Sequence, residues 1–501
     1  MSEWTQTFSP DKSRTWEFFP KLSSPVASVG AALALAVVCF SVWIAAASSL
    51  SLAVAAVVSV AIIPAVIIGC STLGSRPFAV FGLVFSIPFS VMHHLVYRPN
   101  TGAADGITVQ LIDIWMVWLL IHYAYQHHHG NTRRLYGIAA FCFPLVLLLV
   151  ADFLSLFNSA DIQLSVYGIL NHLRAAVLFF VLAVTLAQGK NELRAAYLGI
   201  VCAVSTIGSI CIGEMILQAN IRSSLLSNSS DSSIFRAGGM EGPTGAAAYL
   251  VALLPIVAIE YFYPISRFRR ALAGAGLCVG LAGLGCTLTR SAIGILVVGF
   301  IPLLIFFRRR RLIRARHMVL CLIGLGLLWA NLGTKLGARL DENTSTLNGR
   351  VPLMGTALNM TSSSPLIGVG INNYALKMDA FIPVGQRQDF EYLVHNKFLL
   401  TIAETGSLGC GALIWLLAMA LRRSFLLARR GLPMGIGLFS SIIIVVLDMN
   451  VESYEGGAIL LNAWILIAII AALWSCQHGT SRRSAVDLDG KAVDPVRGQE
   501  S

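Results

Sequence analysis

The sequence predicts an all-α, polytopic membrane protein: a bundle of about 14 transmembrane helices (range about 12–14) with one large loop. Of the 501 residues, 56% are apolar and only 12% are charged, whereas a soluble domain carries about 25% charged residues. Mean hydropathy is +0.74, and apolar blocks recur from residue 24 to residue 475. Because lipid offers the backbone no hydrogen bonds, apolar segments of this length must form helices.

The apolar blocks divide into individual crossings of about 20 residues each. The predicted spans cover residues 26–47, 50–71, 77–96, 107–125, 136–157, 168–188, 196–218, 244–264, 271–288, 291–307, 318–333, 397–420, 433–449 and 458–475.

The distribution of Lys and Arg predicts the orientation of the bundle. If the N-terminus is cytoplasmic, 25 of the 36 Lys and Arg residues fall on the cytoplasmic side and four fall in short loops outside. Cytoplasmic loops are enriched in these residues, so both termini are predicted to be cytoplasmic. The net charge of +11 is spread over these loops rather than gathered on one face, which argues against nucleic-acid binding.

Composition separates a cytoplasmic N-terminal segment (1–23) and a cytoplasmic tail (476–501) from a membrane part with an outer loop at 334–396. The membrane part is divided into N-terminal transmembrane helices (24–229) and a second membrane domain (230–475), and this division follows the extent of the family resemblance described below. The tail is polar and mixed in charge, so it is predicted to be disordered. None of the ten cysteines forms a C-x-x-C pair, so neither a zinc site nor a thioredoxin-type motif is predicted.

Five acidic residues lie in the outer halves of predicted helices, where a charge is costly. They suggest a hydrated cavity open to the outer leaflet; alternatively, each acid caps or snorkels at a helix end. The five are Asp113, Asp152, Glu214, Glu404 and Asp448.

Three arginines on the predicted outer side break the charge bias: Arg236 in SIFRAGGMEGPTG, Arg290 in CTLTRSAIG and Arg350 in NGRVPLMG. A guanidinium group keeps its proton and binds phosphate oxygens through two parallel hydrogen bonds. The pattern therefore indicates an anionic, phosphate-like ligand; the alternative is that these arginines pair with the five acids.

His395 and Asn396 lie where the outer loop enters the twelfth span. A histidine there could be a general base, a hydrogen-bond donor to a leaving group, or an interfacial residue. Nine positions at about 100° per residue place Glu404 on the opposite helix face, so these two form no catalytic dyad. Gly368 and Gly370 follow no strand and so predict a tight turn at a pocket rim rather than a dinucleotide site.

The order of these motifs resembles the O-antigen ligase and O-antigen polymerase superfamily. The match covers about residues 230–475 and comprises a TRSA turn before an apolar span, a loop with NGR, then PLIGVGINNY and HNKFLLTIAETGSLG. Members are bacterial inner-membrane glycosyltransferases with one large periplasmic loop. The resemblance implies an active site facing the periplasm and a donor glycan carried on undecaprenyl diphosphate.

The resemblance also implies roles for individual residues. Arg236 and Arg290 match arginines that hold the donor diphosphate, and His395 matches a histidine that activates the acceptor or positions the donor. Two fixed guanidinium groups could neutralise the diphosphate, so neither a metal nor a cofactor is expected. The implied partners are the lipid bilayer, the lipid-linked donor and a glycan or glycolipid acceptor.

Arg350 matches a basic residue at the start of the family's loop helix. Many members carry an aromatic residue shortly after it, whereas Val351, Pro352, Leu353 and Met354 follow here. Acceptor recognition therefore stays open, with Arg350, Asn396 and Glu404 as candidate residues of an acceptor or loop site.

Three functional hypotheses remain. The first is the glycosyltransferase, either a ligase that modifies lipid A core sugar or a polymerase that extends an O-antigen or exopolysaccharide. The second is a transporter or flippase for lipid-linked sugars, and the third is a non-catalytic scaffold. The chain shows no internal repeat and no matched pair of broken helices, which disfavours a secondary transporter, and transport does not require the long loop that ends at His395.

Overall fold

The structure is a computed structural model that describes residues 70, 73–89, 92–98, 104–128, 136–218, 235–239, 242–312, 344–382, 393–454 and 457–491. The predicted N-terminal segment, the spans at 26–47 and 318–333 and nearly all of the span at 50–71 lie outside these residues.

The described chain forms thirteen α-helices and one two-stranded antiparallel hairpin. In chain order the elements are α1 (Ser75–Ser86), β1 (Met92–Tyr97), β2 (Gly106–Gln110), α2 (Leu111–His128), α3 (Tyr136–Ser155), α4 (Ile162–Leu186), α5 (Lys190–Leu217), α6 (Pro243–Phe262), α7 (Arg267–Cys286), α8 (Arg290–Arg309), α9 (Thr344–Ser363), α10 (Tyr374–Lys377), α11 (Lys397–Arg429), α12 (Pro433–Asp448) and α13 (Gly457–Lys491).

Seven helices of the described chain are long and apolar enough to cross a membrane, as the predicted fold class requires. They are Gly137–Asn158, Ile162–Leu186, Lys190–Leu217, Pro243–Phe262, Arg290–Arg309, Lys397–Arg429 and Ile459–Gln477. The apolar helix α12 is shorter, at 16 residues. The protein is therefore an α-helical membrane protein.

The span predicted at 77–96 is wrong in its second half. Helix α1 ends at Ser86, two residues before Pro88. Proline lacks an amide hydrogen, so Pro88 cannot continue the helical hydrogen bonding of α1, although Ile87 before it still has a helical conformation. The following segment Met92–Tyr97 is β1, which pairs with β2, and its apolar side chains Leu95 and Tyr97 are exposed. Hydropathy alone did not distinguish this strand from the end of a helix.

Helix α6 is the centre of the bundle. Almost all of its residues from Gly245 to Glu260 are buried, and it packs against α5, α7, α8, α12 and α13. Small residues allow close approach nearby, since Gly208 of α5 and Gly283 of α7 bring the two backbones into contact, as in many transmembrane helix pairs.

The two ends of the bundle differ in composition. The first end, here called the loop end, carries the chain segments 156–161, 286–290, 364–382, 393–397 and 448–454. Segment 156–161 hydrogen-bonds to segment 364–382, and segment 393–397 hydrogen-bonds to segment 448–454. The second, here called the basic end, carries Lys190 and the arginines at 267–270, 308–311 and 422–430.

Helix α13 continues to Lys491, into the tail for which the sequence predicts disorder. The tail contains no proline before Pro495, so each residue up to Lys491 can supply an amide hydrogen to a helix that the preceding apolar span has nucleated, although Gly479 and Gly490 each lower the helix propensity.

Candidate functional site

Arg236 is fastened to the turn that precedes α8. Its Nε donates to the Thr287 carbonyl at 3.1 Å and its Nη2 donates to Thr289 Oγ1 at 3.0 Å. The next amide, of Ala237, donates to the Cys286 carbonyl at 3.2 Å. Segment 235–239 and the turn at 286–289 therefore form one unit at the loop end.

Arg290 is the first residue of α8 and directly follows Thr289, whose hydroxyl group Arg236 contacts. The structure thus brings both sequence-predicted phosphate ligands to a single turn, and both are half-buried. The N-terminus of a helix adds partial positive charge at the same point. Two guanidinium groups at a helix N-terminus suit an anion with several oxygens.

The buried side chain of Glu214 holds segment 235–239 in place. Its Oε2 accepts hydrogen bonds from the amides of Gly238 and Gly239, each at 2.8 Å, and the residue is 1% exposed. Gly239 has a φ of +53°, a conformation that glycine adopts without strain. Glu214 therefore fixes the loop that presents Arg236.

Asn396 and Lys397 join the large loop to the end of α12. The Asn396 side chain caps α11 by accepting from the Leu399 amide at 3.0 Å, and it donates to the Asn450 carbonyl at 3.4 Å. The Lys397 amide donates to the Met449 carbonyl at 2.7 Å. Asn396 thus has a defined structural task, and it fixes the position of the preceding histidine.

His395 lies beside Glu452, with 3.8 Å between His395 Nδ1 and Glu452 Oε2. Nδ1 is buried and has no hydrogen-bond partner among the described residues, yet 39% of the side chain is exposed. The exposed part of the ring is therefore its other edge, which faces out of the protein at the loop end. Sequence reasoning missed Glu452, although the polar run DMNVESYE between two apolar spans was a signal for it.

Asp448 and Tyr454 close the turn that carries Glu452. The Tyr454 hydroxyl group donates to Asp448 Oδ2 at 2.9 Å, and Tyr454 is 3% exposed. Burial, together with the nearby Asp448 carboxylate, raises the pKa of Tyr454 well above its usual value. The tyrosine therefore stays a neutral hydrogen-bond donor and holds the turn in shape.

The turn at 286–290, together with the Arg236 side chain bound to it, is here called the arginine turn. The arginine turn and His395 lie at the same end of two adjacent helices, α8 and α12. Helix α8 packs against the oppositely directed α12, where Gly299 meets Ile444. At about 1.5 Å per residue, Arg290 lies about 13 Å from this contact toward the loop end, and Asp448 lies about 6 Å from it in the same direction. His395 docks just beyond Asp448, through the hydrogen bond from the Lys397 amide to the Met449 carbonyl, so both features lie at the loop end of this helix pair.

Arg350 lies in the second turn of α9 rather than on an exposed loop, and it is half-buried. Its spacing of three, seven and ten positions from Leu353, Ala357 and Met360 places all four on one helix face. The three apolar residues are buried in a small core with segment 369–382 and the start of α11. The loop is thus a packed layer, and Arg350 lies at the edge of its core.

Glu404 anchors this layer to the bundle. Its Oε1 accepts from the Tyr374 amide at 3.1 Å, and its carbonyl accepts from the Gly370 amide at 3.0 Å. Gly368 (φ +70°) and Gly406 (φ +69°) let the loop backbone touch the backbone of α11 at this point. Gly368 and Gly370 both have positive φ angles, as the predicted tight turn requires. The Glu404 carboxylate contacts the loop at Tyr374 and is not paired with His395.

Comparison with known proteins agrees with these motifs. Residues 275–414 match the family model described as O-antigen ligase. The chain contains an O-antigen ligase domain. This match confirms the resemblance to the O-antigen ligase and polymerase superfamily. It also supports, at a coarse level, the prediction that the protein is an enzyme. No curated protein matches the chain.

The O-antigen ligase domain, as matched, includes Arg290, Arg350, His395 and Glu404 but begins after Arg236. Because Arg236 is hydrogen-bonded to Thr287 inside the matched segment, the structure adds it to the same site.

The five acids need no hydrated cavity to explain them. Besides Glu214, Glu404 and Asp448, Asp113 Oδ1 lies 3.2 Å from Arg174 Nε, and Asp152 Oδ2 lies 2.8 Å from His172 Nδ1. All five carboxylates have partners in the protein, so the interpretation as a water-filled cavity is replaced by one of local pairing and backbone capping.

Within the described parts of the O-antigen ligase domain and the N-terminal helices, no group of three or more His, Cys, Asp or Glu side chains could hold a metal ion. That the reaction needs no metal stays a prediction.

Proposed function

We propose that the protein is a glycosyltransferase of the O-antigen ligase type, which moves a glycan from undecaprenyl diphosphate to a sugar hydroxyl of lipid A core. The reaction takes place at the periplasmic face of a bacterial inner membrane, with both termini of the chain in the cytoplasm. The observation that carries the proposal is that the Arg236 side chain is hydrogen-bonded to the turn that Arg290 follows, at the same end of the bundle as His395.

The arginine turn binds the donor diphosphate. Its two guanidinium groups and the α8 N-terminus match the charge and the oxygen geometry of a diphosphate. Neutralising that charge makes the lipid diphosphate a better leaving group, and a fixed array of donors needs no reorganisation when the bond breaks.

His395 receives the proton of the acceptor. As the acceptor oxygen forms its bond to the anomeric carbon, the bond between that carbon and the phosphate oxygen breaks, and its electron pair leaves with the diphosphate. The hydroxyl proton passes to the nitrogen on the exposed edge of the His395 imidazole, which acts as the general base. Direct displacement of this kind inverts the anomeric configuration.

The test is the exchange of each arginine for lysine, which keeps the charge and removes the planar fork. In Arg236→Lys and Arg290→Lys, single-turnover transfer from a synthetic lipid-linked glycan should fall about 10- to 100-fold, the equivalent of one or two lost charge-assisted hydrogen bonds. Binding of the donor should weaken in parallel.

Arg98→Lys is the matched control. Arg98 also lies at the loop end, where its Nη2 is 2.5 Å from Asp161 Oδ2, and it is 45% exposed. It should retain full transfer. Full activity in both arginine-turn variants, or an equal loss in the control, would remove the support for diphosphate binding.

A further inference from the structure

A cleft at the basic end is independent of the arginine turn and of the proposed reaction. It lies between the start of α5, the end of α6 and the start of α12, and it encloses about 700 Å³ when its open mouth is included. Apolar side chains form most of its wall; these include Leu193, Ile259, Leu432, Met434 and Leu473.

Two cations border this cleft. Lys190 and Arg194 both line it, and their spacing of four residues places them on one face of α5. Lys190 is exposed and Arg194 is half-buried. The cleft therefore combines an apolar wall with a positively charged border.

One acid, Glu260, also lines the cleft, but its negative charge is paired with Arg269, which is not among the residues of the cleft wall. Its Oε2 lies 3.9 Å from Arg269 Nε, and Arg269 Nη2 in turn donates to the Arg194 carbonyl at 2.7 Å. Glu260 is also attracted to Arg194. The three cations Lys190, Arg194 and Arg269 face this one acid, so the formal charges of these four residues sum to a positive value.

We propose that this cleft binds an anionic phospholipid of the membrane leaflet at the basic end, with its phosphate at Lys190 and Arg194 and its glycerol and upper acyl carbons against the apolar wall. A soluble phosphate ion would leave the apolar wall without a contact, and a neutral lipid would bring no anionic head group to the two cations. Basic pockets between transmembrane helices suit lipid head groups for this reason.

The experiment uses the full-length protein purified in a neutral detergent. Bound lipid is measured by native mass spectrometry while phosphatidylglycerol or phosphatidylcholine is titrated. The wild type should retain phosphatidylglycerol in preference to phosphatidylcholine. Each of Lys190→Gln and Arg194→Gln should lower the affinity for phosphatidylglycerol about 5-fold, and the double variant about 25-fold.

Two further variants test whether a loss of lipid binding comes from a general loss of positive charge or from misfolding. Arg309→Gln removes the same charge from an exposed position at the same end and should bind as the wild type does. The charge-conserving pair Lys190→Arg with Arg194→Lys should retain phosphatidylglycerol, which separates charge from folding.

Three results would overturn the proposal. One is a wild type without preference for phosphatidylglycerol, and another is an equal loss in Arg309→Gln. The third is full displacement of phosphatidylglycerol by millimolar inorganic phosphate, which would make the cleft a site for soluble anions.

Discussion

Replacing His395 by alanine removes the side chain that we assign to proton transfer without opening the apolar core, because 39% of the side chain is exposed. A single substitution typically costs about 1 kcal/mol of stability, and a partly exposed side chain should stay near that value. General base catalysis contributes about 10²- to 10⁴-fold to a rate, which corresponds to about 3–5 kcal/mol in the activation free energy. The loss of rate should therefore be far larger than the loss of stability.

The assay is single-turnover transfer from a synthetic lipid-linked glycan to purified acceptor, with donor binding measured on the same preparation. We expect His395→Ala to bind donor normally and to transfer about 10²- to 10⁴-fold more slowly. Near-normal turnover would make His395 an interfacial residue only. Loss of donor binding would instead move its role from proton transfer to positioning of the diphosphate.

Three other predictions follow from the same geometry. Glu452→Gln keeps the size of a side chain 3.8 Å from His395 but removes the negative charge that would stabilise the imidazolium formed as the acceptor proton transfers. It should slow transfer about 2- to 5-fold, the value of one partly exposed ion pair; in a His395→Ala background it should cost nothing more, and an additive loss would show that the two act separately. Glu214→Ala deprives two buried amides of their acceptor and should lower the free energy of unfolding by about 2–4 kcal/mol, with a smaller loss for Glu214→Gln in the same denaturation series; equal stability would contradict the bracing role. Alkaline phosphatase fused after Met378 should be active and a fusion after Arg311 inactive; the reverse pattern would invert the topology.

Hydropathy and charge sufficed to predict the helical membrane fold, because lipid permits few alternatives to an apolar helix. They failed where a short apolar segment forms a strand, as after Pro88, since hydropathy carries no hydrogen-bond information. The sequence singles out the arginines and the histidine because they depart from local rules: the arginines are fixed positive charges on the side predicted to be poor in them, and the histidine is a titratable group at a predicted interface.

The partners of these residues could not be predicted. Thr287 and Thr289 contact Arg236 through a tertiary contact between segments about fifty residues apart, which a single sequence does not reveal. The acids misled for the same reason. Glu214 and Glu404 have the pattern expected of a wet cavity, whereas their oxygens accept backbone amides whose positions depend on the fold.

Asn372 and Asn373 in the loop reach back to the N-terminal helices almost entirely through main-chain atoms. Asn372 Nδ2 donates to the carbonyls of Ala104 and Leu164, and Asn373 Oδ1 accepts from the Asp161 amide. Because these asparagines bind main-chain atoms, the residues at 104, 161 and 164 are little restricted in identity by them, whereas Ser155, Asn158 and Ser165 hold the loop through their own side chains. Residues 275–414, cut out alone, would lose all of these contacts and Arg236 as well, so the segment that matches the family model lacks part of what holds the loop and part of the proposed site.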